Sequence, residues 1–463
     1  MTLSADFIAQ MRTILPEECD ALVEAITTTA PSVSIRVNGR RGIALEAPAQ
    51  ERVPWCPLGR YLPERMPFTF DVDFQTGRYY VQDASSMFIH HVLRHLVNEP
   101  VRYLDLCAAP GGKTTTAISA LPEQSLVVAN EIMPARARVL RENIVKWGSA
   151  RCIVTSNAPK DLGRLTHFFD VVAADVPCSG EGMMRKDEEA REQWTPALVQ
   201  QCAALQRSII HDIWNALRPG GLLIYSTCTY NREENERMVE HLVNDYGAES
   251  VEIPVDASWR IHPAIDSPHH CYRFMPHRTA GEGLFMAVLR KPADEPRAEL
   301  RIKKAKGGKN AKAKPAPVPR GVDAWLHDAK RYALSVEGED VVALPADIAP
   351  LMPVLADLHV LHAGVTLGTI KGKNCVPSHS LALSEALCPE AFPSAEVDYA
   401  TAMAYMRGEA IVLPGAPRGY VLLTHRGRPI GFANNLGNRA NNLYPKAWRV
   451  LSTHIPAEEP SVL

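Results

Sequence analysis

The feature that most constrains the fold is an alternation of short apolar segments with longer helical patterns between about residues 100 and 290. The apolar segments are VRYLDLCAAP, SLVVANE, ARCIVTSNA, FDVVAADVP and GGLLIYSTC. Segments such as PARARVLRENIVKWG, with apolar residues at helical spacing, separate them. Apolar strands that alternate with helices form a mostly parallel sheet with both faces covered. The sequence therefore predicts a doubly wound, Rossmann-like α/β domain.

The rest of the chain divides around this domain, which we place at residues 71–292. Residues 1–70 combine helical patterns with the strand-like SVSIRVNGRR and predict a small α+β module. Residues 293–320 include RIKKAKGGKNAKAKPAPVPR, a run with no acidic residue, and predict an exposed basic linker. Residues 321–390 and 391–463 contain short strand patterns such as GEAIVL, GYVLLTH and RPIGFANNL and predict two further modules.

Composition excludes several classes of protein. Hydrophobic residues make up 46% of the chain and charged residues 22%, as in an ordinary soluble globular protein. The formal net charge of −2 gives no general attraction to nucleic acid, so RNA binding would depend on local patches. The basic linker is either such a patch or a plain tether. We find no secretion signal and no apolar stretch that could span a bilayer, so we expect a cytoplasmic protein with no membrane partner.

The ten cysteines predict free thiols. They include no CxxC pair and no His/Cys cluster at zinc spacing, so we expect neither structural disulfides nor a metal.

The segment LDLCAAPGGKTTT, residues 104–116, predicts a cofactor-binding turn. A phosphate-binding P-loop would need Gly where Cys107 stands, and the dinucleotide pattern G-x-G-x-x-G is absent. What remains is a strand, a turn of small residues, and a helix from about Thr114 with free N–H groups. The next strand ends at Glu131, where such folds bind ribose hydroxyls. A nucleoside-containing cofactor fits, although a simple tight turn and a helix-terminal charge could also explain these residues.

Two cysteines follow neighbouring strands of the predicted sheet. Cys178 lies in DVPCSGEGMMRKD and Cys228 in YSTCTY, and both should face one cleft together with Asp175. Either thiol could be an inert buried side chain. However, carbon 5 of a pyrimidine becomes nucleophilic when a thiolate adds to carbon 6. A carboxyl group must meanwhile protonate or hydrogen-bond ring nitrogen 3. A second thiol can assist the loss of the carbon 5 proton and the release of the first thiolate. Two cysteines and one carboxylate therefore suit methylation of cytosine at carbon 5.

The order LDLCAAPGGKT, NE, DVPCSGEGMMRKD, then RPGGLLIYSTCTY with NREENE, closely resembles the Sun-type (NOL/NOP/Sun) family of S-adenosylmethionine-dependent RNA cytosine-5 methyltransferases. The resemblance covers roughly residues 70–290 and includes YYVQDASSM at 79–87. SIRVN at 34–38 resembles the upstream segment of the family. The tail, with LGTIKGKNCVPSHSLAL and GFANNLGNRANNLYPKAWRV, resembles the bacterial RsmF-like branch, which ends in a PUA-like RNA-binding module. The resemblance implies a class I methyltransferase core.

The resemblance also implies roles for individual residues. Cys228 falls on the nucleophile of the family, Cys178 on its release cysteine, and Asp175 on a residue that serves both base and cofactor. The positions implied to bind S-adenosylmethionine are Cys107, Ala108, Ala109, Pro110, Gly111, Gly112, Lys113, Glu131, Asn157 and Asp175. Asn157 stands where many members carry Asp near the adenine. Positions implied to contact RNA are Arg36, Asn38 and Lys186.

The predicted function is therefore S-adenosylmethionine-dependent methylation of carbon 5 of a cytosine in RNA, with small-subunit (16S) ribosomal RNA favoured by the branch resemblance. Alternatives are the same reaction on transfer RNA, a non-catalytic RNA-binding factor for ribosome assembly, or methylation of a small molecule or protein. We expect a monomer whose partner is RNA or the small ribosomal subunit.

Overall fold

The structure is a computed structural model that describes residues 3–41, 51–294, 298 and 316–463. Most of the predicted linker at 293–320, including its Lys-rich run, lies outside the described residues. No helix in the described ranges is long and apolar enough to cross a membrane.

The N-terminal region contains two helices, α1 (Ala5–Ile14) and α2 (Cys19–Thr28), followed by a small sheet. Helix α1 starts after Ser4, whose hydroxyl oxygen accepts a hydrogen bond from the Phe7 N–H at 3.2 Å and caps the helix. The antiparallel sheet has the order β2–β1–β3, and its members are β1 (Val33–Val37), β2 (Gly59–Leu62) and β3 (Tyr79–Val81), with the short helix α3 (Val72–Gln75) before β3. The sheet therefore extends past the predicted boundary at residue 70.

The central sheet contains all five strands that the sequence predicts. They are β4 (Arg102–Asp105), β5 (Leu126–Asn130), β6 (Cys152–Thr155), β7 (Phe169–Asp175) and β8 (Leu217–Thr227). They pair in parallel in the order β6–β5–β4–β7–β8. The chain thus reverses direction across the sheet between β4 and β7, and ligands bind beyond the strand ends at such a point. The predicted doubly wound α/β class is confirmed.

Helices pack on both faces of this sheet and create two apolar cores. They are α4 (Phe88–Leu96), α5 (Gly112–Ala120), α6 (Pro134–Trp147), α7 (Pro159–Leu162), α8 (Glu188–Gln193), α9 (Pro196–Ile213) and α10 (Glu236–Tyr246). Helix α6 ends at Gly148, whose φ of 87° is a left-handed conformation that favours glycine. Beyond β8, the antiparallel strands β9 (Glu249–Ser250), β10 (Cys271–Phe274) and β11 (Leu284–Arg290) extend the sheet.

The C-terminal region forms two four-stranded sheets and contributes one strand to the central sheet. The first sheet is β12 (Tyr332–Glu337), β13 (Asp340–Pro345), β15 (Val365–Lys371) and β16 (Asn374–Pro377), followed by helix α11 (His379–Ala382). Strand β14 (Val360–Ala363) instead pairs antiparallel with β6. The central sheet therefore has nine strands, one of which comes from residues that the sequence assigned to another module.

The last sheet is β17 (Ser394–Glu396), β18 (Gly419–His425), β19 (Arg428–Asn435) and β20 (Ala440–Asn442), with helix α12 (Tyr399–Met406) after β17. GYVLLTH and RPIGFANNL form the hairpin β18–β19, as predicted. GEAIVL was wrongly predicted as a strand, because only Ile411 in it makes an isolated bridge, to Ala440.

Candidate active site

The two predicted cysteines lie at the ends of adjoining strands. Strands β7 and β8 pair with Asp175 opposite Ser226, which brings the loops that follow them side by side. The Cys178 Sγ lies 3.1 Å from the Cys228 Sγ, and the Cys228 N–H donates to the Cys178 Sγ at 3.3 Å. Both thiols are half-buried. The structure thus brings together two side chains that are 50 residues apart in the sequence.

The contact with Cys228 and burial keep Cys178 protonated. The hydrogen bond with Cys228 and then burial raise the pKa of Cys178 well above that of an ordinary thiol. Cys178 is therefore a thiol at neutral pH and can donate its proton to the sulfur of Cys228, while its own sulfur accepts the Cys228 N–H.

Glu181, three residues after Cys178, holds the backbone that follows Cys228. Its Oε2 accepts hydrogen bonds from the N–H groups of Tyr230 at 2.6 Å and Asn231 at 2.8 Å. Its Oε1 accepts from the side chains of Trp194 and Gln10, both at 3.0 Å. The side chain is fully buried, and this number of donors is what a buried carboxylate requires.

Glu234, in the segment after Cys228, binds the loop that contains Cys178. It accepts from the Ser179 N–H at 3.0 Å and from the Gln206 amide at 2.7 Å. The Asn231 amide donates to both carboxylates, at 3.1 Å to Glu181 and 2.8 Å to Glu234. Burial raises the pKa of Glu234. The two cysteine loops are therefore locked together by side chains that lie behind the sulfurs.

Asp175 lies beside the thiols at the end of β7. Its Oδ2 accepts from the Lys113 ammonium at 2.8 Å and its Oδ1 accepts from the Ser226 hydroxyl at 2.7 Å. Burial disfavours the charge on Lys113, but the attraction of Asp175 outweighs it and raises the pKa of the lysine. The carboxyl group is thus held between the turn after β4 and the end of β8.

The turn of small residues at 107–113 connects β4 with α5. Gly111 has a φ of 112°, a left-handed conformation that favours glycine, and α5 begins at the next residue. The Ala108 N–H donates to the Asn130 carbonyl at 2.8 Å and anchors the turn to the end of β5. Burial raises the pKa of Cys107, so this third cysteine of the cleft remains a thiol.

Glu131 has the geometry expected of a ribose ligand. Its Oε1 accepts from the Met133 N–H at 3.0 Å, whereas its Oε2 is buried without a hydrogen bond among the described residues. The nearest cation is Arg136, whose Nη1 lies 3.5 Å from Oε2. Buried carboxylate oxygens normally accept a hydrogen bond, so this oxygen is free to accept one from a hydroxyl group of a ligand. The residues present therefore fit a nucleoside cofactor with a ribose hydroxyl at this position.

Asn157 joins the cofactor side of the cleft to the C-terminal region. Its Oδ1 accepts from the His359 N–H at 2.9 Å, and its Nδ2 donates to the His359 carbonyl at 3.3 Å. Its backbone N–H donates to Asn130 Oδ1 at 3.0 Å, next to Glu131. The amide is matched to a backbone N–H and C=O, whereas an aspartate could accept the first hydrogen bond but could not donate the second.

Two of the three predicted RNA contacts are corrected by the structure. Arg36 is fully buried, where its guanidinium donates to Gln82 at 2.8 Å and to the Thr115 hydroxyl at 2.5 Å. Asn38 is also fully buried, and its amide donates to the carbonyl oxygens of residues 77 and 147. Both side chains are covered by protein, so they support the interior instead of contacting RNA. Lys186 is at the surface, 3.4 Å from Glu282, and stays a prediction.

Sequence reasoning missed the residues that support the site. Glu181 and Asn231 occur in GEGMMRKD and NREENE, motifs used only for their resemblance to the family. An acidic residue soon after each cysteine was a usable signal, because carboxylates bind exposed backbone N–H groups. No comparable signal connects His359 with Asn157.

Comparison with known proteins gives consistent matches along the chain. Residues 92–290 match the family described as 16S rRNA methyltransferase RsmB/F. Residues 3–84 match the N-terminal domain of 16S rRNA methyltransferase RsmF, residues 324–384 its first C-terminal domain, and residues 392–450 the methyltransferase RsmF PUA domain. Proteins named ribosomal RNA small subunit methyltransferase F are 30% identical in Enterobacter sp. (strain 638) and 31% identical in Salmonella agona (strain SL483). In each case 95% of both chains is covered.

Solved structures agree with this fold. A methyltransferase homolog protein from Pyrococcus horikoshii is 26% identical with a TM-score of 0.53, over 62% of this chain and 94% of the other. NSun6 from Pyrococcus horikoshii with SFG is 20% identical with a TM-score of 0.54, over 63% of this chain and 99% of the other. At that identity the second match supports the fold alone.

Proposed function

We infer that this chain, which belongs to the 16S rRNA methyltransferase RsmB/F family, methylates carbon 5 of a cytosine in 16S ribosomal RNA. The observation that carries the proposal is the pair of sulfurs 3.1 Å apart. Asp175, three residues before Cys178, accepts a hydrogen bond from Lys113 of the turn at 107–113. Methylation of a small molecule or protein would give no use to two thiols so placed. The names of the relatives favour small-subunit ribosomal RNA over transfer RNA.

In the first half of the reaction, the Cys228 thiolate forms a bond to carbon 6 of the cytosine. The electron pair of the ring double bond moves toward carbon 5, which becomes nucleophilic. Asp175, held by Lys113 and Ser226, is the carboxyl group that we assign to ring nitrogen 3. S-adenosylmethionine, when bound between residues 107–113, Glu131 and Asn157, supplies the methyl group that carbon 5 takes.

In the second half, Cys178 releases the product. Once the Cys228 sulfur is bonded to carbon 6 it is a neutral thioether and a weaker hydrogen-bond acceptor, so the hydrogen bond that most raises the pKa of Cys178 is weakened. Cys178 then loses its proton to solvent and takes the proton from carbon 5. The electron pair of that C–H bond restores the ring double bond and expels Cys228 as a thiolate, which returns both sulfurs to their starting states.

We assign the remaining regions to RNA capture. Residues 1–70, 321–390 and 391–463 surround the methyltransferase domain at 71–292, and the PUA-like segment is the principal candidate for holding RNA. The linker at 293–320 would add affinity for phosphates. The target cytosine must leave its stack to reach the thiols, which favours a loop or bulge. We propose that the protein acts as a cytoplasmic monomer, on free RNA or on the small ribosomal subunit.

The test compares two single variants for transfer of labelled methyl groups to ribosomal RNA. Cys228→Ala should reduce transfer by roughly several thousand-fold or more, because it removes the thiolate that forms the bond to carbon 6. Cys178→Ala should instead accumulate a covalent protein–RNA complex that survives denaturing electrophoresis.

Cys375→Ala, which changes a half-buried cysteine on β16 in the C-terminal region, is the matched control and should behave as the wild type. A trapped complex in Cys228→Ala would exchange the two roles. Full activity in both variants would exclude the two-thiol mechanism.

A further inference from the structure

Three metal-ligating side chains meet in the C-terminal region, outside the methyltransferase domain. They are His327, Cys388 and Glu390. Each offers one ligand atom, and the imidazole nitrogen, the sulfur and the carboxylate oxygen all lie within 4.8 Å of one another. His327 and Glu390 are exposed and Cys388 is half-buried, so a cation can reach the group from solvent. The proposed reaction gives none of these residues a role.

Backbone pairing fixes the two segments that carry His327 and Cys388. The N–H group of each residue donates to a carbonyl oxygen of the opposite segment, at 3.0 Å for His327 and 2.9 Å for Cys388. Between them, Leu326 and Leu387 form an antiparallel bridge, and both leucines are buried in an apolar core. Successive side chains of paired segments point to opposite faces, so the two ligands point away from this core. The backbone beneath the group is therefore rigid.

Glu390 completes the group two residues after Cys388. The Cys388 Sγ donates to the Glu390 Oε2 at 3.4 Å, and Glu390 lies in the short 3₁₀ turn Pro389–Ala391. In the described part of the chain, no lysine or arginine forms an ion pair with Glu390, and the His327 ring makes no hydrogen bond. The carboxylate charge is thus not neutralised by a neighbouring side chain, and the imidazole keeps a free nitrogen.

The ligand types indicate zinc. Thiolate and imidazole are ligands of zinc, whereas magnesium and calcium prefer oxygen ligands. Bond lengths of ~2.0–2.3 Å place the ligand atoms of a tetrahedral zinc site about 3.3–3.7 Å apart. The separation of 3.4 Å between the Cys388 sulfur and the Glu390 oxygen already lies in this range. Rotation of the exposed His327 side chain can supply the remaining approach of about 1 Å without movement of the backbone.

We propose that His327, Cys388 and Glu390 bind one Zn²⁺ ion, with water as the fourth ligand. When zinc binds, the Cys388 thiol loses its proton to solvent and its sulfur forms the bond to the metal. The spacing of the cysteines along the chain predicts no metal, because the ligands come from two segments that only the fold brings together.

The site lies where two C-terminal modules meet. It joins the beginning of the module at residues 321–390 to its end, and the PUA-like module follows directly. The Phe392 ring lies 5.2 Å from the Trp325 ring and 4.7 Å from that of Phe432 on β19, between centroids. Bound zinc therefore stabilises the junction from which the PUA-like module extends.

The test is a calorimetric titration of the full-length protein with zinc chloride. Loss of a residue that only orients a metal ligand costs about 10–100-fold in affinity, so His327→Ala and Cys388→Ser should each weaken zinc binding at least as much. Cys375→Ala, which removes another half-buried cysteine of the C-terminal region, is the matched control and should bind zinc as the wild type does. Cys228→Ala should also keep the zinc, which distinguishes this site from the cysteine pair of the cleft.

Two further measurements identify the ligands. Cobalt(II), which accepts the same ligands as zinc, should give a thiolate-to-metal charge-transfer band that Cys388→Ser abolishes and Cys375→Ala keeps. Zinc should raise the melting temperature of the wild type more than that of His327→Ala, whereas magnesium should change neither.

Equal zinc affinity in the wild type, His327→Ala and Cys388→Ser would overturn the site. A cobalt band that persists in Cys388→Ser, or zinc binding that is lost in Cys228→Ala, would overturn it as well. None of these measurements involves RNA or methyl transfer, so their outcome is separate from that of the proposed function.

Discussion

The cysteine side and the cofactor side of the cleft are held in place by different means. At the cysteine side, Glu181, Asn231 and Glu234 bind each other's loops, and all three lie within the same stretch of the methyltransferase domain. At the cofactor side, Asn157 is bound by the backbone of His359, which is 202 residues further along the chain. The loops of the two cysteines are thus joined within one domain, whereas Asn157, which is proposed to lie near the cofactor, is bound by the C-terminal region.

The difference has an energetic consequence. When a buried carboxylate that binds several N–H groups is removed, those donors lose their acceptor. Substitutions at the cysteine side should therefore lower the stability of the whole domain. The hydrogen bonds of Asn157 are partly exposed and can be replaced by water, so their loss should change cofactor affinity with little effect on stability. The predictions below test this contrast from its largest effect to its smallest.

Glu181→Ala should lower the free energy of unfolding by about 3–5 kcal/mol, because it leaves two backbone N–H groups and the Trp194 indole N–H buried without an acceptor. Denaturant unfolding measures the change. Glu181→Gln keeps the shape of the side chain and one acceptor, and should fall between the variant and the wild type. A loss below about 1 kcal/mol in Glu181→Ala would show that the network is dispensable.

Glu131→Ala should weaken binding of S-adenosylmethionine by about 1.5–3 kcal/mol, the range for a hydrogen bond to a charged acceptor. Calorimetry measures this affinity directly. Glu123→Ala removes an exposed carboxylate near the other end of the same strand and should leave the affinity unchanged. Unaltered binding in Glu131→Ala would place the ribose elsewhere.

Asn157→Asp should weaken cofactor binding by about 0.5–1.5 kcal/mol, because the donor to the His359 carbonyl is lost and a carboxylate faces that oxygen. Asn157→Ala removes both hydrogen bonds and should weaken binding at least as much. The covalent complex of Cys178→Ala should still form in either background at saturating cofactor. If Asn157→Asp bound the cofactor more tightly, the residue would act on the cofactor and not through His359.

Replacing the six lysines between residues 303 and 314 with glutamine should reduce the salt dependence of RNA binding. For each phosphate that is no longer neutralised by a lysine, the slope of log affinity against log salt should fall by ~0.7–0.9. Affinity for S-adenosylmethionine should stay the same. If the variant and the wild type had the same slope, this segment would connect the domains without contributing to RNA binding.

The sequence predicted the fold class and the meeting of the two thiols because both depend on local patterns. Apolar strands that alternate with helices have few possible arrangements, and residues after adjoining parallel strands must share one edge. The prediction that Arg36 and Asn38 contact RNA was wrong, because the sequence does not reveal whether a polar side chain in or just after a strand is covered by other parts of the protein. Here Arg36 binds Gln82 and Thr115, Asn38 binds the backbone of residues 77 and 147, and both side chains are buried.

What the sequence by itself determined is the presence of five parallel strands, with two cysteines, one carboxylate and a turn of small residues at their ends. Only the tertiary structure decided that β14 pairs with β6 and that His359 binds Asn157. The physical reason is that a strand edge or a backbone N–H group can form hydrogen bonds with any segment that lies next to it. Such pairings depend on where distant segments pack, which no local spacing of residues encodes.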